Sequence, residues 1–205
     1  MKAIDDMTSS PGALAGLRVV DFSQYLAGPL VGMVLADLGA EVTRVDPPGG
    51  PRWHHPANAV VQRGKRSIVL DLKAQDDLAR ARELIADADV VLESFRPGVA
   101  ERLGIGPAAM TQQHARLIYC SLPGFGSEDP RAHVPAWEGV LCAAGGGYLY
   151  PGCSPMNYTG DRTAEPIYSA IPQASSYGAI VALHSIVAAL IARERTGTGQ
   201  RIEAP

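Results

Sequence analysis

The chain has 205 residues, of which 46% are hydrophobic and 19% charged, and its formal net charge is -3 at pH 7. This composition allows one well-buried core and argues against nucleic acid as a partner, because phosphate backbones bind concentrated basic surfaces. The three cysteines form no Cys-x-x-Cys pair, so we expect a reduced, cytoplasmic protein without a disulfide framework.

The chain is predicted to begin with a flexible tail. Residues 1–13 carry acids, Ser, Pro and Gly rather than the basic segment and apolar core of a signal peptide. Residues 14–205 are then expected to form one domain. Its longest apolar stretches have the length of a helix and are broken by Gly, Ser or His, so the sequence predicts neither a membrane span nor a membrane partner.

Five strands are predicted before residue 122, each rich in Val, Ile or Leu and bounded by turn residues. They are Leu17–Phe22, Glu41–Asp46, Ser67–Leu70, Asp89–Glu93 and Arg116–Ser121. Their apolar runs are continuous rather than alternating, which is typical of strands covered on both faces. A sixth strand is predicted to open at Gln200–Glu203.

Helices are predicted between these strands and after them. They are Leu30–Leu38, Asp76–Ala88, Val99–Leu103, Pro107–Gln113, Ala136–Ala144 and a long helix Ala174–Arg195. The long helix has apolar residues at helical spacing and ends before Gly197. Residues 148–172 have little periodicity and are predicted to be irregular. Alternating strands and helices predict an α/β fold, with right-handed crossovers and a parallel, Rossmann-like sheet.

The turn after the first strand gives the first functional signal. Small residues in Tyr25-Leu26-Ala27-Gly28-Pro29 lead an apolar strand into a helix, whose exposed N–H groups favour anions such as nucleotide phosphates. The sequence contains no Gly-x-Gly-x-x-Gly motif and no Walker loop. The Trp53-His54-His55 segment resembles a metal site only superficially, since adjacent histidines do not easily share one ion, and no metal site is predicted.

A series of short motifs extends this signal along the chain. They are Asp21-Phe22 with the turn to Pro29, Ala36 to Val42, Arg63 to Ser67, Leu70 to Lys73, Asp89 to Gly98, Arg102 to Gly104, Tyr119 to Ser121 with Gly124 to Gly126, and Arg193 to Gln200. Each motif is weak alone. The ordered set resembles the family III CoA-transferases, which include formyl-CoA transferase, carnitine CoA-transferase and, more distantly, α-methylacyl-CoA racemase. The resemblance runs from about Leu14 to the end of the chain.

The resemblance implies a Rossmann-like large domain that binds CoA. Acyl-CoA and a carboxylic acid would be the substrates, with CoA entering as a substrate and no cofactor bound tightly. Family members are considerably longer and form a homodimer of interlocked chains. The chain is therefore expected to be a fragment that corresponds to the N-terminal half, lacks the second domain, and forms a homodimer or needs a complementing C-terminal half.

The resemblance also implies a set of CoA contacts. They map onto Tyr25, Leu26, Leu70, Lys73, Ser94, Phe95 and Arg102. Lys73 and Arg102 offer cations for the CoA phosphates, and an arginine can also form a bidentate pair. Leu70 and Phe95 would line the adenine or pantetheine, with ordinary core packing as the alternative. The basic segment Arg63–Arg66 is a further phosphate candidate, and solvated strand-edge charge is its alternative.

The nucleophile that the resemblance implies is missing. In the family an aspartate carboxylate attacks the acyl-CoA thioester and passes through an anhydride to an enzyme-bound CoA thioester. Its position falls at Ser175, beside Ser176, and no acidic residue lies between Glu165 and Glu194. Ser175 has no base visible in the sequence, and capping the long helix is its alternative role. Asp161 and Glu165, the nearest upstream carboxylates, are expected to be solvated.

Three functions follow from these observations. The first is transfer of CoA between an acyl-CoA donor and a carboxylic acid acceptor. The second is a catalytically silent CoA-binding domain, such as the degenerate half of a tandem arrangement. The third is acyl-CoA racemisation, for which the resemblance implies a histidine and an aspartate. The histidine would fall near Trp137-Glu138, and neither that histidine nor the aspartate is present in this sequence. His133 lies close by but is expected to be exposed.

Overall fold

A six-stranded parallel sheet organises the computed structural model, which describes residues 11–147 and 170–205. The strands are β1 Arg18–Asp21, β2 Glu41–Asp46, β3 Arg66–Val69, β4 Val90–Glu93, β5 Ile118–Ser121 and β6 Arg201–Glu203. Their order is β3-β2-β1-β4-β5-β6, and every neighbouring pair is parallel. This is the strand order of the Rossmann fold, so the predicted α/β class and the sixth strand are both confirmed.

Helices connect most of the strands, as predicted. They are α1 Ala27–Asp37, α2 Ala57–Val61, α3 Gln75–Ala86, α4 Val99–Arg102, α5 Pro107–Gln113, α6 Glu138–Ala144 and α7 Gln173–Thr196. Helix α1 starts three residues before its predicted start because Pro29 lies in its first turn, where an N–H group has no helical partner anyway. Helix α2 was not predicted.

Two apolar layers cover the sheet, because successive residues of a strand point to opposite faces. Val19, Val90 and Ile118 pack on one face together with residues of α1 and α7. Val91 and Tyr119 pack on the other face with residues of α3 and α5. The continuous apolar runs of the sequence therefore correspond to strands that are covered on both sides.

Helix α7 packs on the sheet through one face that consists mostly of alanine. Ala179, Ala182, Ile186 and Ala189 are buried there, and Gly197 ends the helix with a φ of 77°. The opposite side exposes large apolar residues: Tyr177, Ile180, Val181, Val187 and Ile191. By length and composition α7 also qualifies as a membrane-crossing helix, although its small-residue side belongs to the core of the sheet.

Arg193, in the last turn of α7, is buried rather than solvated. Its side chain is 6% exposed, and Nη1 lies 3.1 Å from Asp89 Oδ1. The same nitrogen donates to the carbonyl oxygen of Arg116 at 3.1 Å. This arginine therefore ties the end of α7 to the segments that precede β4 and β5.

Candidate functional site

The strand order changes direction between β1 and β4. In Rossmann folds ligands bind beside the carboxyl ends of the two strands at such a point, and we call this edge of β1 and β4 the crevice. The loops that follow these two strands are joined directly. The backbone N–H of Gln24 donates to Ser94 Oγ at 3.1 Å, and the N–H of Phe22 donates to the carbonyl oxygen of Leu92 at 2.9 Å. The two loops therefore hold a fixed relative position at the edge where Rossmann folds bind their ligands.

The turn into α1 is tightly built. Tyr25 has a φ of 68°, which side chains other than glycine rarely adopt. A Cβ atom on Gly28 would lie 2.2 Å from Ser23 Cβ, so only glycine fits where the helix crosses the loop. Among the described residues no side chain caps the start of α1, which leaves the N–H groups of its first turn for another acceptor.

A buried ion pair contacts the residues on both sides of this turn. Lys65 Nζ lies 2.9 Å from Asp21 Oδ2 and 2.8 Å from the carbonyl oxygen of Pro29. The side chains of Lys65 and Asp21 are 1% and 0% exposed. Burial lowers the pKa of Lys65, and the neighbouring Asp21 carboxylate offsets part of that effect.

The basic segment Arg63–Arg66 does not form the solvated or phosphate-facing cluster that the sequence suggested. Lys65 points into the core, and Arg63 pairs with Asp37 on the surface. The expectation is therefore wrong for Lys65, because the buried Asp21 carboxylate is a stronger local partner for its ammonium group than solvent or a surface ligand.

The residues predicted to contact CoA all lie in the segments that come after the carboxyl ends of β1, β3 and β4. Leu70 is 5% exposed and its N–H donates to the carbonyl oxygen of Asp46 at 2.9 Å. Lys73 is exposed, and its N–H donates to Asp71 Oδ1 at 3.0 Å. Since β3 is two strands from β1, these residues lie roughly 10 Å along the edge from the crevice.

The contacts after β4 lie at the crevice itself. Ser94 and Phe95 are partly buried, and Phe95 packs against the second core layer. Arg102 is exposed on α4, and its guanidinium group lies against Gly98. The Nη1 atom of Arg102 is 3.0 Å from the position that a Cβ atom on Gly98 would occupy. Tyr25 and Leu26 begin the opposite wall. The sheet topology thus brings the predicted residues to one edge, and their binding roles stay predictions.

Glu93 ends β4 at this edge of the sheet. It is 6% exposed, and its Oε2 accepts the N–H of Phe95 at 2.7 Å. Burial raises the pKa of Glu93, against the opposing effect of hydrogen bonds from Ser121 and Phe95. Glu93 therefore shapes the loop after β4 rather than presenting an exposed charge.

The first turn of α6 borders the crevice. The rings of Tyr25 and Trp137 meet edge to face, with centroids 5.1 Å apart and planes at 82°. Trp137 directly precedes α6 and Glu138 is its first residue. The contact therefore places Glu138 beside the turn that follows β1.

Glu138 caps the start of α7. Its Oε1 accepts the N–H of Ala174 at 2.8 Å, and its Oε2 accepts the N–H of Ser175 at 2.9 Å and the Oγ–H at 2.6 Å. Cys142 Sγ also donates to Oε1 at 3.3 Å. Burial acts to raise the pKa of Glu138, but the hydrogen bonds from Ser175, Ala174 and Cys142 outweigh it and lower the pKa.

The alternative in which Ser175 or Ser176 caps the long helix is therefore wrong, whereas packing at the start of the helix is not contradicted. Pro172 occupies the N-cap position, Ser175 lies inside the helix, and Ser176 Oγ donates to the carbonyl oxygen of Pro172 at 2.7 Å. No local residue pattern indicates that Glu138 caps α7, because Glu138 lies 37 positions before Ser175. Asp161 and Glu165 fall outside the described residues.

The Trp53-His54-His55 loop after β2 borders a separate, wide-open surface depression of about 470 Å³. Trp53 and His55 stack there with ring centroids 5.5 Å apart, and His55 Nδ1 accepts the N–H of Ala57 at 3.1 Å. In residues 11–147 and 170–205 no group of three or more His, Cys, Asp or Glu side chains is placed to hold a metal ion. His133 is exposed, as expected.

Comparison with known proteins shows the family to which the chain belongs. The sequence model described as CoA-transferase family III matches residues 14–205. The chain is 47% identical over 193 residues to the CoA-transferase/lyase DddD of Marinomonas sp. (strain MWYL1), covering 94% of this chain and 23% of that protein. It is 36% identical to the acetyl-CoA:oxalate CoA-transferase of Acetobacter aceti, covering 94% of this chain and 50% of that protein.

Solved structures agree with the sequence matches. A CAIB/BAIF family protein from Brucella suis superimposes with a TM-score of 0.84 at 33% identity, covering 94% of this chain and 53% of that one. Rv3272 from Mycobacterium tuberculosis gives a TM-score of 0.83 at 34% identity, covering 95% of this chain and 55% of that one. The chain spans about half the length of most of these proteins and a smaller part of DddD.

Proposed function

Since this chain belongs to CoA-transferase family III, we propose that the protein transfers CoA from an acyl-CoA donor to a carboxylic acid acceptor, with CoA bound at the crevice between β1 and β4. The observation that carries the proposal is the direct link between the two loops at the crevice, Gln24 N–H to Ser94 Oγ. It joins the family-like motif after β1 to the one after β4, at the edge where Rossmann folds bind nucleotides.

The charges along this edge support a phosphorylated ligand. Lys73 and Arg102 are exposed and carry cationic side chains. The uncapped first turn of α1 adds backbone N–H groups and the positive end of a helix dipole. An extended, anionic carrier with a long neutral arm fits this distribution, with its phosphates near the cations and its arm in the crevice.

Calorimetric titration of the full-length protein with CoA tests the binding half of the proposal. Measurable affinity that falls with rising salt concentration is expected, since phosphate pairs are screened. Exchange of a radiolabelled acid into acyl-CoA tests the transfer half. The absence of both binding and exchange would contradict the proposed function.

A silent CoA-binding domain is the second candidate, and two observations favour it. Residues 173–176 at the start of α7 contain no acid. In addition, the chain covers 23% of DddD but about half of the other relatives, so DddD is about twice as long as they are and has room for two units of this kind. CoA binding by this chain without labelling of any residue in it would favour this candidate.

The exposed apolar side of α7 supports the proposal that further protein packs there, either a second copy or the segment that completes a family-length chain. Tyr177, Ile180 and Ile191 are 68%, 47% and 58% exposed. Large apolar side chains aligned along one helix are typical of interaction surfaces. Sedimentation of the full-length protein would show a dimer if a second copy covers the helix.

A further inference from the structure

A carboxylate lies where the chain lacks its expected aspartate. Glu138 comes from α6, yet its Oε2 is 2.6 Å from Ser175 Oγ, the side chain at the position of the family's nucleophile. The two oxygens share a hydrogen bond, so the Glu138 carboxylate borders the space that an acid at position 175 would occupy. A carboxyl group is thus present at the start of α7, supplied by another helix.

Glu138 also lies beside the proposed CoA crevice. Trp137, its neighbour in the chain, contacts Tyr25 in the turn after β1. Glu138 is partly exposed, whereas Asp21 and Glu93, which end β1 and β4, are 0% and 6% exposed. Glu138 is therefore more accessible to a ligand at this edge than Asp21 or Glu93.

The hydrogen bonds around Glu138 keep it ionised at neutral pH. The N–H groups of Ala174 and Ser175, together with the Ser175 hydroxyl, donate to its two oxygens and lower its pKa. Ionisation leaves an oxygen lone pair free of a proton, which nucleophilic attack requires. Burial raises the pKa of Glu93, which acts against its ionisation.

We infer that Glu138 is the catalytic carboxylate of this chain, which accepts the acyl group in place of the aspartate missing at Ser175. The inference rests on the proposed CoA-transferase function. In the first step a Glu138 oxygen bonds to the thioester carbonyl carbon, the C–S bond breaks, and CoA leaves as the thiolate with the electron pair. The thiolate then bonds to Glu138 Cδ, and the donor acid leaves as its carboxylate.

The second half of the reaction runs these steps in reverse. An acceptor carboxylate bonds to Glu138 Cδ and the C–S bond breaks, which gives a new anhydride and the CoA thiolate. The thiolate attacks the acyl carbon of that anhydride, and the Glu138 carboxylate leaves with the electron pair. Acyl-CoA is released, Glu138 is regenerated, and no proton, oxidant or further reactant is consumed.

Ser175 cannot take this role, for a chemical reason. The proposed route passes through a CoA thioester on the enzyme, and such a thioester forms only at the carbon of a carboxyl group. An acylated serine is an oxygen ester whose acyl carbon belongs to the substrate, so CoA cannot be attached to the side chain. In the structure Ser175 instead donates a hydrogen bond to Glu138 Oε2.

Hydroxylamine trapping followed by peptide mass spectrometry tests the inference in the full-length protein. Acetyl-CoA, succinyl-CoA and butyryl-CoA serve as probes, because hydroxylamine converts an anhydride or thioester on the enzyme into a stable hydroxamate. The hydroxamate is expected on Glu138 only when acyl-CoA is present. Glu138→Gln should abolish the hydroxamate and keep CoA affinity within about threefold. Glu128→Gln removes an exposed carboxylate from the loop that precedes α6 in the chain, and this variant should label like the wild type.

The outcomes separate the inference from the proposed function. Label on another carboxylate, an acyl ester on Ser175, or no label in this chain with any of the three probes would each overturn the role of Glu138, even where CoA binds. A purely structural role as helix cap would lower the stability of Glu138→Gln and leave the wild-type protein unlabelled. Loss of CoA binding by the wild-type protein would instead defeat the proposed function itself.

Discussion

Lys65 and Asp21 form an ion pair in the interior of the protein, with 2.9 Å between Nζ and Oδ2 and side chains 1% and 0% exposed. Asp21 ends β1 and Lys65 directly precedes β3, so the pair joins the central strand to the edge of the sheet. Asp21 Oδ1 also accepts the N–H of Ser23 at 3.0 Å. The turn proposed to hold CoA is thus attached to a buried charge pair rather than to surface contacts.

Replacement of Lys65 by Met is expected to destabilise the protein strongly. The change leaves the Asp21 carboxylate buried without its partner, which typically costs about 3–5 kcal/mol in the free energy of unfolding. Urea denaturation at pH 7 measures this loss.

Arg63→Met is the matched control for that variant. It removes an ion pair with Asp37 whose side chains are 49% and 44% exposed, and a loss of about 1 kcal/mol or less is expected. Equal losses in the two variants would mean that the Lys65–Asp21 pair is not buried in solution.

Gly32→Ala is expected to disturb the same ion pair from the side of α1. A Cβ atom at this position would lie 2.7 Å from Asp21 Oδ2 and 2.8 Å from Lys65 Nζ, closer than side chains tolerate. The resulting strain should lower the free energy of unfolding by about 1–3 kcal/mol. Gly178→Ala, inside α7 with open space around the new atom, should stabilise by up to about 1 kcal/mol, and thermal unfolding of both variants measures the contrast.

Much of the sheet was predictable because its strands are covered on both faces and carry uninterrupted apolar runs. The bounds of β2, Glu41–Asp46, agree with the prediction residue for residue, as do those of α5, Pro107–Gln113. Helix α2, Ala57–Val61, was missed. Five residues are too few to show helical periodicity, and a tertiary position beside α1 stabilises such a short helix.

The carboxyl-edge location of the predicted CoA contacts also followed from the sequence, because parallel strands end at one edge. The partners of individual charges did not. Lys65 lies 44 positions from Asp21, and Glu138 lies 37 positions from Ser175. Contacts between such distant segments depend on how helices pack across the sheet, which local residue patterns do not encode.

Glu93 is expected to make stability depend on pH. Its pKa is raised in the folded protein, so above the ordinary value near 4.5 the folded state binds more protons than the unfolded state. The contribution of Glu93 is therefore full below pH 4.5 and is lost as the pH rises through the higher, folded-state pKa.

Urea denaturation of the wild type and Glu93→Gln between pH 4.5 and pH 8 tests this dependence. Since Gln resembles the protonated acid, the stability of the variant relative to the wild type should increase with pH. A constant difference across this range would contradict the raised pKa of Glu93.

Lys73→Ala and Arg102→Ala are each expected to weaken CoA binding by about tenfold, or about 1.4 kcal/mol, if these cations meet the phosphates. The loss should be larger at low salt, where charge pairs are less screened. Arg80→Ala is the control, since Arg80 is exposed on α3 and pairs with Glu83 at 2.8 Å. Unchanged calorimetric affinity in both test variants would remove the phosphate assignment.

Restoration of the family's acid by Ser175→Asp is expected to lower stability at neutral pH. The new carboxylate would lie beside the ionised Glu138, whose Oε2 is 2.6 Å from the present Oγ. Two negative charges about 4 Å apart repel by about 4 kcal/mol at an effective dielectric constant of 20. Partial exposure and the favourable end of the α7 dipole reduce the expected loss to about 1–3 kcal/mol.

Ser175→Asn isolates this repulsion, because it has the same shape without the charge. In the Glu138→Gln background the Asp variant should be at least as stable as the Asn variant, since the opposing carboxylate is gone and the start of α7 favours a negative charge. In the wild-type background their difference should shrink as the pH falls, because two close carboxylates share a proton and the pKa of the pair rises. Equal stability of the two variants at pH 7 would show that Glu138 does not face position 175, and would remove the geometric basis for its role as the acyl-accepting carboxylate.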